Sequence, residues 1–348
     1  MQGEDRQVPV YASGIQVLEK LQEKWKSTQR RYPAMYSSVV GGIILDPSMM
    51  VIPIDDHMVH RGHGVFDTAT ISDGFTILTL TVFFPTSGSD DTLSETLNLC
   101  HVCSLIRCLY ELDSHLDRLL ASASKAKIDP PFPHETMREI LIQMTAASGC
   151  KDGSIKGCTG PAFYAVVIAA AATATRRSQQ NDGVKAITTT VPMKHPFFAG
   201  IKSVNYLPNA LALVEAEERG AYAPVWVDED GCVAEGPTMN VAFVTAAGDL
   251  VLPAFDKVLS GCTAKRLLAL APRLVEAGLL RGAGDARISA DEARRCGEMM
   301  FVGSGLPVVE WDGQPIGDGR VGKVSLALSE MLRDDMNSGP DRIPVPYS

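Results

Sequence analysis

Three short motifs in a fixed order constrain this chain more than any bulk property does. The first is Gly200-Ile201-Lys202-Ser203-Val204-Asn205-Tyr206. Glu235-Gly236 follows 33 residues after the lysine, with Asn240 just beyond, and Ser260-Gly261-Cys262-Thr263 then opens an Ala/Leu-rich helical pattern. A lysine can form a Schiff base with a carbonyl, and a buried carboxylate can keep a pyridinium nitrogen protonated. A glycine turn feeding a helix N-terminus suits a phosphate, because the first backbone N–H groups have no intrahelical partner. Each element alone says little, since a lysine beside a serine is ordinarily a surface residue.

Taken together and in this order, the motifs resemble the fold-type IV family of pyridoxal-phosphate enzymes. That family holds branched-chain aminotransferases, D-amino-acid aminotransferases and aminodeoxychorismate lyases. The resemblance covers residues 33–72 and 109–345. Two further stretches, Ile52-Pro53-Ile54-Asp55-Asp56-His57-Met58-Val59-His60-Arg61-Gly62-His63-Gly64-Val65-Phe66 and Leu112-Asp113-Ser114-His115-Leu116-Asp117-Arg118-Leu119, are similar to plant-type D-amino-acid aminotransferase-like proteins.

The bulk properties are compatible with this. At 348 residues the chain is long enough for two domains, and 45% apolar against 21% charged residues is the balance of a globular enzyme. A net charge of −9 without a basic run disfavours nucleic acid or an anionic membrane as partner. No apolar stretch reaches the length of a spanning helix. The first residues have neither a signal-peptide core nor the acid-poor character of a transit peptide, and eight irregularly spaced cysteines read as reduced thiols. A cytoplasmic protein is expected, or a plastid one if a longer N-terminus exists.

Residues 1–32 are expected to hold an amphipathic helix, with Ser13 and Gln16 as a capping box and Ile15, Leu18, Leu21 and Trp25 on one face. Strands are expected at 38–44, 50–53 and 65–71, with Asp73-Gly74 as a turn. Residues 75–108 fit neither neighbour and read as an insertion into a hairpin turn, a loop outside the core. Cys100-His101-Val102-Cys103 with Cys108 lacks a second ligand pair at metal spacing, so no metal is expected. Helices are expected at 115–126 and 135–147. Lys156 then runs directly into Gly157, where the resemblance implies another strand and a Gly-rich loop that contribute to substrate-carboxylate recognition. A deletion is expected there, leaving a sheet short of one strand. The fold class expected is α/β and α+β: a smaller α/β domain over 33–168, a linker over 169–182, and a larger α+β cofactor-binding domain over 183–348.

The resemblance also implies roles. Lys202 attaches pyridoxal 5′-phosphate and acts as the catalytic base, and Glu235 pairs with the pyridine nitrogen. Tyr206 bonds the phenolic oxygen. Arg118, Cys262, Thr263, Ser304 and Gly305 cup the phosphate, although many relatives carry Thr at the last of these. Phe66 lines the substrate pocket, while Arg61 and His63, taken as strand residues, face away from it. The implied activity is transamination of a D-amino acid to its 2-oxo acid by a homodimer. Aminodeoxychorismate lyase, branched-chain aminotransferase, and a variant that binds cofactor without turnover remain alternatives.

Overall fold

The computed structural model describes residues 9–11, 13–26, 31–78, 102–160, 162–170 and 179–347. The amphipathic helix forms over Gly14–Trp25. Ser13 caps it by accepting from the Ile15 N–H rather than through a box with Gln16. Leu18, Leu21 and Trp25 are half-buried while Ile15 is exposed.

An antiparallel sheet follows, built from β1 (Ala34–Ser37), β2 (Gly42–Ile44), β3 (Val65–Leu78), β4 (Val102–Tyr110), β5 (Gly153–Thr159) and β6 (Phe163–Ala169). Residues 38–41 turn between β1 and β2, so the strand expected over 38–44 is two short ones. Residues 50–53 form no strand. The Asp73-Gly74 signal is overridden: both sit inside β3, opposite Arg107 and Ile106 of β4. Pairing continues out to Leu78 opposite Val102, which gives a strand ladder more to hydrogen-bond than a turn at 73–74 would. The ends of the expected insertion therefore belong to the sheet. Its middle, residues 79–101, which includes Cys100 and His101, lies outside the described residues.

The expected gap at Lys156 is also corrected. β5 runs without a break and pairs on both sides, Lys156 with Thr68 and Val166, Gly157 with Asp67 and Ala165. No backbone edge is left open along this strand, because Gly157–Thr159 take up the ladder themselves and β6 begins after three residues.

Side chains alternate across β3 with period two. Val65, Ala69 and Ile71 pack against the helices Leu112–Lys125 and His134–Ser148, whose Leu112, Leu116, Leu119, Met137, Leu141 and Met144 complete this core. Phe66, Thr68 and Thr70 face the other way. Gly149, at φ 63°, closes the second helix in the left-handed region that glycine tolerates.

A second, mixed sheet takes the order β11-β10-β9-β12-β13-β7-β8, with β14 (Gln314–Pro315) paired to β13. Its strands are β7 (Val184–Thr188), β8 (Ala223–Val225), β9 (Val241–Val244), β10 (Asp249–Pro253), β11 (Gly282–Ala286), β12 (Glu298–Phe301) and β13 (Leu306–Trp311). β9 is buried on both faces, which explains its unbroken apolar run. Phe243 packs with Phe301 and Trp311 on one side. Ala242 and Val244 meet the helices Cys262–Leu270 and Lys323–Ser338 on the other. The Ala/Leu-rich helical pattern that opens at Cys262-Thr263 is broken at Pro272 into Cys262–Leu270 and Pro272–Glu276. The chain then returns: β15 (Arg342–Pro344) pairs with β4, so the first sheet reads β15-β4-β3-β5-β6-β1-β2.

Candidate active site

A cavity of about 780 Å³ opens between the two sheets, a volume in the range of small-molecule sites. All nine residues singled out in the sequence line it: Phe66, Arg118, Lys202, Tyr206, Glu235, Cys262, Thr263, Ser304 and Gly305.

The lysine segment is stitched to the start of β3. The Lys202 N–H donates to Ser122 Oγ (3.2 Å), and its carbonyl accepts from the Phe66 N–H (2.9 Å). The Val204 N–H reaches the Gly64 carbonyl (3.0 Å), and Asn205 Nδ2 donates to the Gly62 carbonyl (3.0 Å). The side chain leaves this fixed backbone with its Nζ 4.9 Å from the centre of the Phe66 ring. Burial, helped by the Arg118 charge, lowers the Lys202 amine to about 8, against the attraction of Asp67 and Glu235. Near neutral pH a useful fraction is therefore the uncharged nucleophile.

Glu235 follows the Asp228–Gly231 turn, where Asp228 Oδ1 accepts from the Asp230 and Cys232 N–H groups. Its Oε2 accepts from the Leu259 N–H (3.2 Å) and Asn240 Nδ2 (3.3 Å). Asn240 in turn donates to the Leu259 carbonyl (2.9 Å), which locks the amide's orientation. Burial pushes the Glu235 carboxyl up to about 8, opposed by the Leu259 N–H, Lys202, Lys194 and Arg118. A cationic partner entering the cavity would restore its charge. Tyr206 precedes the helix Leu207–Glu218 and stands edge-on to Phe66 at 5.1 Å; burial raises its phenol to about 12, so it is a hydrogen-bond donor at working pH.

Arg118 is held by a residue that the motifs did not single out. Asp67, 4% exposed, accepts from Arg118 Nε and Nη2 (both 2.7 Å) and bonds His115 Nδ1 (2.8 Å). Burial alone would raise the Asp67 carboxyl, but the bonds from Arg118 and His115 outweigh it and hold it at about 2. His115 and Arg118 are three apart on one helix face, so a single buried acid can reach both. Arg118 Nη1, 3.5 Å from the Ser260 carbonyl, lies beside the start of the helix Cys262–Leu270. No side chain caps that N-terminus. Gly261 is required there: a Cβ would fall 2.1 Å from Asn240 Oδ1. Gly305 has φ +65°, so a side chain would be strained at that turn. Guanidinium, helix N-terminus and glycine turn together make a donor set that fits a phosphate.

Arg61 is not on a strand. It ends the short helix His57–Arg61 and is exposed, and His63 bonds the Ala126 carbonyl (2.9 Å). Beyond Asp67, sequence reasoning missed Lys156 and Lys194, which both line the cavity. Asp67 carried a readable signal, an acid between the core positions Val65 and Ala69, since buried charges must be paired. Lys156 carried one as well, since it alternates with buried Ile155 and Gly157 along β5.

Residues 106–311 match the family described as "Amino-transferase class IV". The chain is 45% identical over 361 positions to the D-amino-acid transaminase, chloroplastic, of Arabidopsis thaliana, covering 98% of this chain and 86% of that protein. It is 27% identical over 256 positions to a bifunctional aminodeoxychorismate lyase / D-amino acid transaminase of Mycobacterium tuberculosis, covering 66% and 76% respectively. A branched-chain amino acid aminotransferase from T.th., solved with pyridoxamine 5′-phosphate, superposes with a TM-score of 0.74 over 91% of this chain and 99% of that one, at 19% identity. At that identity the likeness speaks for the fold.

Proposed function

Because this chain belongs to the class IV aminotransferase family, we propose that it transfers the amino group of a D-amino acid to a 2-oxo acid, using Lys202 and pyridoxal 5′-phosphate. The observation that carries the reading is a buried lysine of lowered basicity, fixed between a carboxylate and a phosphate-shaped donor set. When bound, the cofactor supplies a carbonyl for amines and a ring that accepts the electron pair left at the substrate Cα.

This chain's own residues do the rest. Arg118, oriented by Asp67, presents its remaining N–H groups to phosphate oxygens, while the N–H groups of Cys262 and Thr263 and the turn at Ser304-Gly305 close the cup. Glu235, held by Asn240 and Leu259, offers a carboxylate to the pyridine nitrogen. Tyr206 donates to the phenolic oxygen. Lys202 would hold the cofactor through its amine, and the same amine would carry the proton to and from the substrate Cα. Phe66 orients the substrate against the wall formed by Thr68 and Lys156. A D-amino acid is favoured by the 45%-identical relative, the D-amino-acid transaminase of Arabidopsis thaliana. Pyruvate elimination is the second reading, favoured by the bifunctional relative, because the same lysine serves both reactions.

Exposed Val39, Val40, Leu45, Val51, Ile54 and Val59 give a second copy of the chain an apolar surface to cover, which supports a homodimer. No helix of the described residues is long and apolar enough to cross a membrane, and the plant relative's name places that protein in the chloroplast.

The test is borohydride reduction of the loaded protein with peptide mapping, alongside half-reactions with D-alanine, L-leucine and aminodeoxychorismate followed by cofactor absorbance. The expected result is label on Lys202 and conversion by D-alanine. Label on another lysine overturns the site, and conversion by L-leucine alone overturns the substrate.

A further inference from the structure

Lys194 belongs to none of the motifs above, yet its placement is built rather than incidental. Residues 189–195 connect β7 to the helix Pro196–Ala199. The Val191 carbonyl accepts from Trp226 Nε1 (2.8 Å), and Val191 and Met193 pack against Trp226, Ala234 and Val258. With these neighbours anchored, Lys194 enters the cavity wall, half-buried, and its Nζ stands 4.8 Å from the centre of the Tyr206 ring. The same ring meets Phe66 edge-on, so Tyr206 is fixed between a cation and an aromatic partner.

Among the described residues Lys194 forms no ion pair within salt-bridge distance, and the acid whose charge attracts it is Glu235. Burial lowers the Lys194 amine, and Glu235 raises it. The groups that favour an ionised Glu235 are the Leu259 N–H, Lys202, Lys194 and Arg118, while Asn240 donates to the same oxygen. They are not equivalent. Arg118 is committed to Asp67 through two 2.7 Å bonds. Lys202 gives up its ammonium charge whenever its nitrogen acts as nucleophile. The N–H of Leu259 and the amide of Asn240 are dipoles without net charge. Arg118 keeps its charge as well, and Lys194 adds to this wall a cation that is neither paired with a carboxylate nor used as the nucleophile.

We propose that Lys194 is a positioning residue: seated on the face of Tyr206, it holds that ring against Phe66 and gives Glu235 a positive charge that persists while Lys202 reacts. The role rests on the proposed cofactor site, but it is a property of this chain's own side chains and is measured without the cofactor. Glu235 is followed by carbon-13 carboxyl resonances in cofactor-free protein, assigned by their loss in Glu235→Gln. Wild type is compared with Lys194→Gln, Lys194→Met and Lys194→Arg. The two neutral variants are expected to raise the proton affinity of Glu235 roughly three- to tenfold, and the arginine to restore it. Lys194→Met keeps the apolar stem, so it serves if Lys194→Gln fails to fold. An identical Glu235 titration in all variants overturns the proposal. Failure of the cofactor reading shows separately, as borohydride label away from Lys202 in wild-type protein.

Discussion

Replacing Asp67 with asparagine tests how the cavity-lining Arg118 is held. In the native protein the Asp67 carboxylate receives both Arg118 bonds and contacts His115, in a site where it is 4% exposed. Holding that carboxyl at about 2 instead of its ordinary 3.8 corresponds to roughly 2.5 kcal/mol of folding stability. Breaking a buried pair from one side costs about 3–5 kcal/mol, because the surviving charge stays desolvated. The larger figure governs here, since Asp67→Asn leaves the Arg118 charge without a counter-charge, with only neutral neighbours such as His115 Nδ1 (3.3 Å) and the Ser260 carbonyl (3.5 Å). In a chain of this size that is a fall in Tm of roughly 4–7 °C. The acid's pKa is lowered on folding, so its contribution is complete above pH 4 and is lost as the pH falls from about 4 towards 2. The gap between variant and wild type should therefore be flat from pH 8 to 5 and narrow below 4. Scanning calorimetry across that series, with inorganic phosphate binding measured in parallel, checks both effects. A Tm loss below about 1 °C at pH 7, or a gap that widens in acid, would refute the view that Asp67 holds Arg118 as an ionised partner.

The long β3–β4 hairpin should tolerate shortening: joining Leu78 to Val102 through Asn-Gly, in place of residues 79–101, keeps every pair of the described ladder. Thermal scans are expected to change by no more than about 0.5 kcal/mol, and a loss of several would mean that the removed residues pack on the body. In cofactor-free protein, the rate at which Lys202 is trapped by pyridoxal phosphate and borohydride should climb roughly tenfold per pH unit up to about 8 and then level off. A rate still climbing past pH 10 would mean that the amine is not shielded from water.

What could be read from the sequence was whatever is encoded within a few residues. Gly261 before Cys262 and Thr263 marks a helix start by local backbone preference alone, and Lys202 and Tyr206 lie in one short segment whose ends are both tied to β3 and the following helix. Residues that act through distant partners were invisible or misread. Asp67 and Arg118 are 51 positions apart and meet because β3 lies across the helix Leu112–Lys125. Lys194 reaches Tyr206 through a loop that has no regular period. The Asp73-Gly74 turn failed because local turn preference is weaker than nine consecutive cross-strand pairs. The gap expected at Lys156 failed as a structural reading, because a strand can close its ladder with whichever residues come next in register.

The pairing of β15 with β4 also sets an order of events during synthesis. β4 must wait for residues made some 230 positions later before its outer edge is covered. Until Arg342–Pro344 emerge, Arg107 to Tyr110 present an open row of backbone donors and acceptors while the whole second sheet is still being made. Completion of the first layer is thus among the last steps of vectorial folding, and Arg266, which binds both Asp335 and Asp341, acts as the latch that brings the tail home. A ribosome-bound chain stalled before that point would carry an exposed strand edge, the form in which such a protein is most exposed to chaperones and to its neighbours.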